Sequence, residues 1–493
     1  MKLYHNRVIS CFSLLLIIVF VTTACTLQPP RVKSSGLPQR EYTYQIPEKI
    51  DDGWEPSTLE TEGVDSKKII ELMGNILRED IKNIHSILLV KNGKLIFEEY
   101  FYGYDRDTRH MLASVTKSVT SILVGIAIDK QMIGSVNEKV YEFFPEYKGT
   151  RWIDQKYDIT LKHVLTMTAG LDWDEITNLH PHPKNPNTGM YRTDHPIKYI
   201  LNKRKVAPPG ERWNYNSGLT ILLGGIIKNT SGRYADKFAE QYLFKPLGIA
   251  NYQWNEHPDG TIYTHGDLFL KPRDMAKIGY IMLNQGKWEN KQIVSNAWIQ
   301  ESTREHIDTF WGYGYGYQWR CGKTLICDQE IEAFWASGTG GQKIYVFPKL
   351  DLVVVFTSKL FDNIYGHDRN ESVLAHFIIP AVVSPEYKRK VIKLDNTVLD
   401  TYVGEYKINQ EKVLLPDFAK RMRLKVFREG SKLFFKLPDG QIVQLFPESK
   451  DLLFGKFKDI GQIQFRIIRD ENGAIKHASR NVGFRALLLD KVR

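Results

Sequence analysis

The sequence predicts an α+β fold, an antiparallel sheet flanked by helices plus a helical subdomain, followed by a small all-β C-terminal domain. Three observations predict it. Alternating strand segments stand near residues 87–103 and return at 311–359, with helical periods filling the interval between them. The segment 113–129, ASVTKSVTSILVGIAID, is apolar on every face beyond its mouth, as a helix buried inside a large domain must be. Beyond residue 395 only short alternating strands with turn signals remain. With 493 residues, 42% of them hydrophobic and 25% charged, the chain can bury one large core and a smaller one.

Residues 1–25 place Lys2 and Arg7 ahead of an apolar run from Val8 to Val21, then Thr22-Thr23-Ala24-Cys25, which reads as an export signal. The small residues leading to Cys25 resemble a bacterial lipobox, although Thr22 stands where leucine is usual, so a plain signal peptide or an uncleaved anchor stays open. If Cys25 is acylated, the protein is a membrane-anchored lipoprotein of the bacterial cell envelope. Residues 26–60 are polar and proline-rich and read as a tether. The main domain is expected over 61–383, a charged linker over 384–394, and a small barrel-like domain over 395–493.

In the main domain, ILLVKNGKLIFEEYFYG should be a β-hairpin turning at Asn92-Gly93. Helical periods follow in TLKHVLTMT, LTILLGGIIKNT, RYADKFAEQYLF and RDMAKIGYIMLNQG. WGYGYGYQWR, IEAFWASG and KIYVFPKLDLVVVFTSK then read as three strands, the last interrupted by Pro348. Cys321 and Cys327 lie close enough in sequence to cross-link the two arms of a hairpin outside the cytoplasm. Two thiols are too few for zinc. Gly322-Lys323-Thr324 is no phosphate loop, because Tyr317 occupies the position of the earlier glycine. The net charge of +10 suits an anionic surface, yet no basic run is interleaved with aromatics, so nucleic acid is not expected as a partner.

Ser114 and Lys117 are three apart, which on a helix sets them on one face about a turn apart. A serine at the helix start also lies beside free N–H groups and the positive end of the helix dipole. Acyl transfer needs those features: a nucleophile, a neighbour that takes its proton, and donors for the oxyanion. The plainer alternative is a capping serine followed by a solvated lysine. Tyr215 and Ser217 sit in a loop ahead of a helix, and WASGTGGQ (335–342) sets glycines at a strand end where a substrate can approach the backbone. His180 and His182 lie among prolines with no third ligand near, which favours a flap facing the substrate over a metal site. Asp172, Asp174 and Glu175 favour a turn and helix cap over paired-carboxylate chemistry. The aromatics of 311–320 suit an acyl pocket or a strand packed on a helix equally.

These motifs, with ITLKHVLTMTAGLDWDE, PGERWNYNSG and KPRDMAKIGYIMLNQGKW, resemble the serine β-lactamase and penicillin-binding-protein superfamily over about residues 60–383. The similarity is to its class C-like branch of esterases, D-amino-acid peptidases and 6-aminohexanoate-dimer hydrolases, and the chain beyond 395 looks like the lipocalin-like domain often appended to them. The resemblance implies a β-lactamase-like fold, no cofactor, and a small ester or amide as substrate. It implies that Ser114 is acylated, that Lys117 keeps it poised, and that Tyr215 shuttles protons beside the lysine's charge. Ser217, Ser337 and Gly338 would contact substrate, and the N–H groups of Ser114 and Thr339 would form the oxyanion hole. A shift of alignment would put Gly340 or Gly341 in place of Thr339.

Two departures bear on substrate. The superfamily's Tyr-x-Asn reads Tyr215-Asn216-Ser217, and its Lys-Thr-Gly reads Ala336-Ser337-Gly338. The missing lysine removes a charge that pairs a carboxylate, and the missing asparagine removes an amide contact. We therefore expect weak β-lactam turnover and a better fit to esters or unusual amides. A catalytically silent relative that binds cell-wall or peptide ligands, or a D-amino-acid peptidase, is the alternative.

Overall fold

In the computed structural model, which describes residues 42–147, 158–177, 180–309, 311–360, 368–383, 390–409, 422–437, 440–457, 461–482 and 485–492, the chain opens its main sheet with the expected hairpin. Strands β1 (Ile84–Lys91) and β2 (Lys94–Tyr100) turn at Asn92 and Gly93, whose φ values of 51° and 77° match a two-residue turn to the strand twist. Cys25, the expected export segment and parts of the tether and linker lie outside the described residues, and the tether expected over 26–60 is corrected from residue 42 onward: Trp54 and Leu59 are buried in the main domain's two cores, and Asp52 pairs with Arg273.

The remaining strands come from the other end of the domain: β3 (Ile307–Asp308), β4 (Gly314–Tyr315), β5 (Arg320–Ile326), β6 (Gln329–Gly338), β7 (Gln342–Phe347) and β8 (Leu352–Ser358). They pair antiparallel in the order β2-β1-β8-β7-β6-β5-β4-β3. The central strands are apolar at nearly every position because both faces are covered. Leu88, Val90, Ile344, Val346, Val353 and Val355 point into the larger core, which holds α2 (Val115–Asp129), α3 (Ser217–Ser231) and α4 (Pro272–Leu283). Their neighbours Ile87, Leu89, Tyr345, Phe347, Val354 and Phe356 point into a second core with α1 (Ser66–Leu77) and the helical residues Leu374, Ile378 and Ile379.

Three strand-level expectations are corrected. KIYVFPKLDLVVVFTSK is not one interrupted strand but the antiparallel pair β7–β8, with Val346 opposite Val353. Pro348 lacks a ladder N–H and opens a 3₁₀ turn, Pro348–Leu350, which reverses the chain. In WGYGYGYQWR the chain leaves the sheet after Tyr315, Gln318 takes φ 62°, and Arg320 begins β5. Cys321 and Cys327 do not face each other across a hairpin: they lie along one arm, β5 and the turn after it, roughly 20 Å apart at the usual strand rise. That is far beyond disulfide reach, and both are free and buried.

The C-terminal part closes into an eight-stranded barrel: β9 (Gly404–Ile408), β10 (Arg423–Glu429), β11 (Lys432–Lys436), β12 (Ile442–Pro447), β13 (Leu452–Phe457), β14 (Gly461–Arg469), β15 (Ile475–Val482) and β16 (Arg485–Lys491). β16 returns to β9 with Lys491 opposite Tyr406, which removes every free edge. Side chains fill its interior. The void bounded by residues such as Tyr406, Phe435, Phe465 and Leu489 is about 10 Å³, too small for a ligand. The barrel core is continuous with Met167, Trp213 and Tyr315 of the main domain.

Candidate active site

The chain passes from the short strand His110–Met111 into α2 through Ala113, which holds a φ of +46°. A non-glycine residue there carries backbone strain, of order 1–3 kcal/mol. Ser114 follows at the N-cap of α2, and its side chain makes no capping hydrogen bond. It accepts instead from Lys117 Nζ at 3.0 Å. Lys117 is 2% exposed, so it is not a solvated lysine. Its ammonium also donates to the His265 carbonyl at 2.8 Å and lies 5.0 Å from the centre of the Tyr215 ring. A buried ammonium requires such partners, and a π face adds to them. The loop that supplies His265 is fixed by Thr120 Oγ1 donating to Thr264 O and by Thr264 Oγ1 donating to Thr220 O. Burial, then the charge of Lys117, holds the His265 imidazole well below its ordinary pKa, and Tyr191 Oη meets its Nε2 at 2.9 Å.

Tyr215 stands just before α3, packed on Trp213 and Trp311 with ring centres 5.9 and 6.1 Å away. Asn216 caps α3, its side chain accepting from Leu219 N–H. Ser217, expected to face substrate, lines the cleft but is committed: Oγ and N–H both donate to Glu175, at 2.7 and 2.9 Å. Glu175 also accepts from Trp173 Nε1, so its negative charge sits at the positive end of α3. Asp174 accepts from the N–H groups of Ile176 and Thr177. The acidic cluster thus makes a turn and a cap. His180 and His182 act separately, His180 against Thr188 Oγ1 and His182 accepting from Lys184 N–H. His180, Asn185, Asn187 and Tyr191 form one wall of the cleft.

The opposite wall is the end of β6. Gly338 is pressed against the nucleophile's own segment, and a Cβ there would lie 2.2 Å from Leu112 O. Only glycine allows that approach. Thr339 follows directly, and among the described residues neither its N–H nor that of Ser114 has a hydrogen-bond partner. The Gly341 N–H donates to Gly338 O, which removes it as an alternative donor. Ala336 faces the core, fully buried, and Ser337 lines the cleft.

The cleft, about 590 Å³, therefore gathers Ser114, Lys117, Tyr215, Ser217, Ser337, Gly338 and Thr339. A larger hollow of about 770 Å³, between residues 42–48 and β2, has no nucleophile beside a base. Sequence reasoning missed several groups. The expectation that losing the third-motif lysine leaves that wall without a cation is corrected: Arg320 of β5 and Lys343 of β7 both line the cleft beside Ser337. Lys343 pairs with Glu371 at 3.6 Å. Gln318 ties three elements together, accepting from Ser118 through its backbone carbonyl and from Thr220 through its amide, while donating to Leu165 O. Its positive φ is what frees the chain to do so, and nothing in a polar residue within an aromatic run announces that role.

A half-buried hydroxyl, a buried amine, a phenol and two unpaired N–H groups around one cleft can carry acyl transfer without further groups. Comparison with known proteins agrees. The Beta-lactamase family model matches residues 84–376. The chain is 25% identical over 290 residues to 6-aminohexanoate-dimer hydrolase of Paenarthrobacter ureafaciens, covering 55% of this chain and 71% of that protein. It is 22% identical over 324 residues to a Salmonella typhi protein provisionally assigned as a D-alanyl-D-alanine carboxypeptidase, covering 51% and 73%. In fold it is similar to the octameric penicillin-binding protein homologue from Pyrococcus abyssi, with a TM-score of 0.50 at 17% identity, over 86% of this chain and 99% of the other. The match spans well over half of the sequence and contains every element that builds the cleft, so the chain belongs to the beta-lactamase family of serine hydrolases.

Proposed function

We propose that the protein is an exported hydrolase that cleaves esters or unusual amides through an acyl-enzyme on Ser114. The observation that carries this reading is the buried Lys117 ammonium, hydrogen-bonded to Ser114 Oγ beneath Tyr215. Ser114 Oγ bonds to the substrate carbonyl carbon, and its proton passes to Tyr215 Oη as the Tyr215 proton passes to the departing alcohol or amine, with the Lys117 charge held beside both oxygens. Water then attacks the Ser114 ester by the same route in reverse. The N–H groups of Ser114 and Thr339 hold the oxyanion in both steps. β-Lactams fit less well, because Asn216 is spent as a helix cap, Ser217 is bound to Glu175, and the wall's cations, Arg320 and Lys343, stand on other strands than the third motif's lysine position, Ala336. The similarity to 6-aminohexanoate-dimer hydrolase supports a linear amide as well as an ester.

The export reading rests on residues 1–25, with Cys25 as the acylated residue. Three experiments test these readings. A fluorophosphonate should label the wild-type protein and not Ser114→Ala; equal labelling sinks the acyl-enzyme. In a parallel assay, a short-chain p-nitrophenyl ester should turn over faster than a chromogenic cephalosporin, and the reverse order refutes the specificity. Palmitate incorporation should vanish in Cys25→Ala.

A further inference from the structure

The cleft contains three cations besides its histidines: Lys343 is paired with the carboxylate of Glu371, and Lys117 belongs to the nucleophile, held between Ser114 Oγ and the His265 carbonyl. Arg320 is different. Its Nε donates to Tyr313 Oη at 2.9 Å and its Nη1 to the Ser337 carbonyl at 3.2 Å, both neutral acceptors. The guanidinium also lies over the Tyr313 ring, 5.7 Å from its centre. Among the described residues no carboxylate pairs with it, and its Nη2 has no acceptor. The contrast within this chain is informative, since the buried Arg273 is neutralised by Glu98 and by Asp52 at 2.9 Å. Of the cleft's acids, Glu371 belongs to Lys343 and Glu175 to Ser217 and Trp173. Asp267, whose carboxyl burial pushes upward in pKa, is acted on most strongly among positive charges by Lys117.

A largely enclosed guanidinium with open donors and no counter-ion is costly unless something anionic completes it. We propose that Arg320 is the specificity-determining residue of this cleft, binding a carboxylate on the substrate through its free Nη donors. The substrate class is then an ester or amide that also carries a carboxylate, on either the acyl or the leaving side. This rests on the hydrolase reading above and narrows it. The anion is met from β5, a strand away from the position where the third motif's lysine would stand, so a carboxylate is recognised without restoring that lysine's geometry.

The test compares three esters on the full chain: p-nitrophenyl butyrate, mono-p-nitrophenyl glutarate with the charge on the acyl side, and the butyryl ester of p-hydroxybenzoate with it on the leaving side, the last read against phenyl butyrate. In the wild type one anionic ester should exceed its neutral counterpart in kcat/KM by about 10- to 100-fold, the range of one charge-assisted hydrogen bond. Arg320→Gln should cut that ratio by about tenfold or more, and Arg320→Lys should recover part of it. An unchanged ratio in Arg320→Gln, or no anionic preference in the wild type, overturns the proposal while ester turnover leaves the hydrolase reading standing. If no ester is turned over and Ser114→Ala labels as well as wild type, both readings fail together. Independently of any variant, glutarate should compete with substrate at least about tenfold better than glutaramide; equal inhibition also overturns it.

Discussion

Replacing Gly338 with alanine asks whether the end of β6 is pinned to the nucleophile. The new Cβ would sit 2.2 Å from the Leu112 carbonyl oxygen and 3.2 Å from Ala113 Cβ. An ordinary carbon–oxygen contact lies at about 3.3–3.6 Å, so strand and segment must part by roughly 1 Å. The obstacle is backbone, and no side-chain rotation relieves it. Thr339 follows Gly338 directly and Ser114 lies two residues beyond Leu112, so the same displacement opens the gap between their N–H groups. A misplacement of about 1 Å at a reacting centre costs about 100-fold in rate, and overpacking costs about 1–3 kcal/mol of stability. Stopped-flow turnover of p-nitrophenyl butyrate should therefore show kcat lowered by about two decades in Gly338→Ala, with KM far less affected. A urea titration should show a protein still cooperatively folded. A folded variant with wild-type kcat would refute the reasoning, since Gly338 would then not set the spacing.

Lys117→Ala removes the partner of Ser114 Oγ and leaves the His265 carbonyl unpaired, so single-turnover acylation should slow by about 10²- to 10⁴-fold; near-normal acylation would show that the lysine only packs. Burial holds His85 and His110 neutral, with pKa values lowered to about 4, while the unfolded chain protonates them near 6.5. Their contribution to stability is present above pH 6.5 and is lost as pH falls toward 4; denaturant midpoints across that window should follow a slope of up to about 1.4 kcal/mol per pH unit per imidazole, and His110→Gln should flatten it. Dithiothreitol should leave the melting temperature unchanged, because Cys321 and Cys327 are free, and burial raises the Cys321 thiol to about 12, so it should react slowly with Ellman's reagent until the protein unfolds.

Local chemistry was legible where one segment contained its own reason. Asn92-Gly93 could only turn a hairpin, and the nearly all-apolar body of 113–129 could only be a helix inside a core. The three corners Ser114–Lys117, Tyr215 and 336–339 were legible as a set through family resemblance, and the structure brings them to one cleft. What escaped depends on partners far away in sequence. Arg320 acquires its meaning from Ser337, 17 positions on, and Ser217 loses its freedom to Glu175, 42 positions back. Pro348 was noticed, but whether a proline bends one strand or reverses two depends on what lies beside it, here β7 against β8.

Helix α2 has buried residues from Val115 through Ala127, and that has a consequence for how such an enzyme diversifies. A helix without a solvent face cannot slide, tilt or be resurfaced without disturbing the core that surrounds it. The serine and lysine at its mouth are therefore a fixed coordinate. New substrates must be accommodated by the walls that are free to vary: the 180–191 flap, the aromatics at 311–313 and the start of β5. A library randomised there should yield altered preferences from soluble protein. One randomised along α2 should yield mostly material that does not fold.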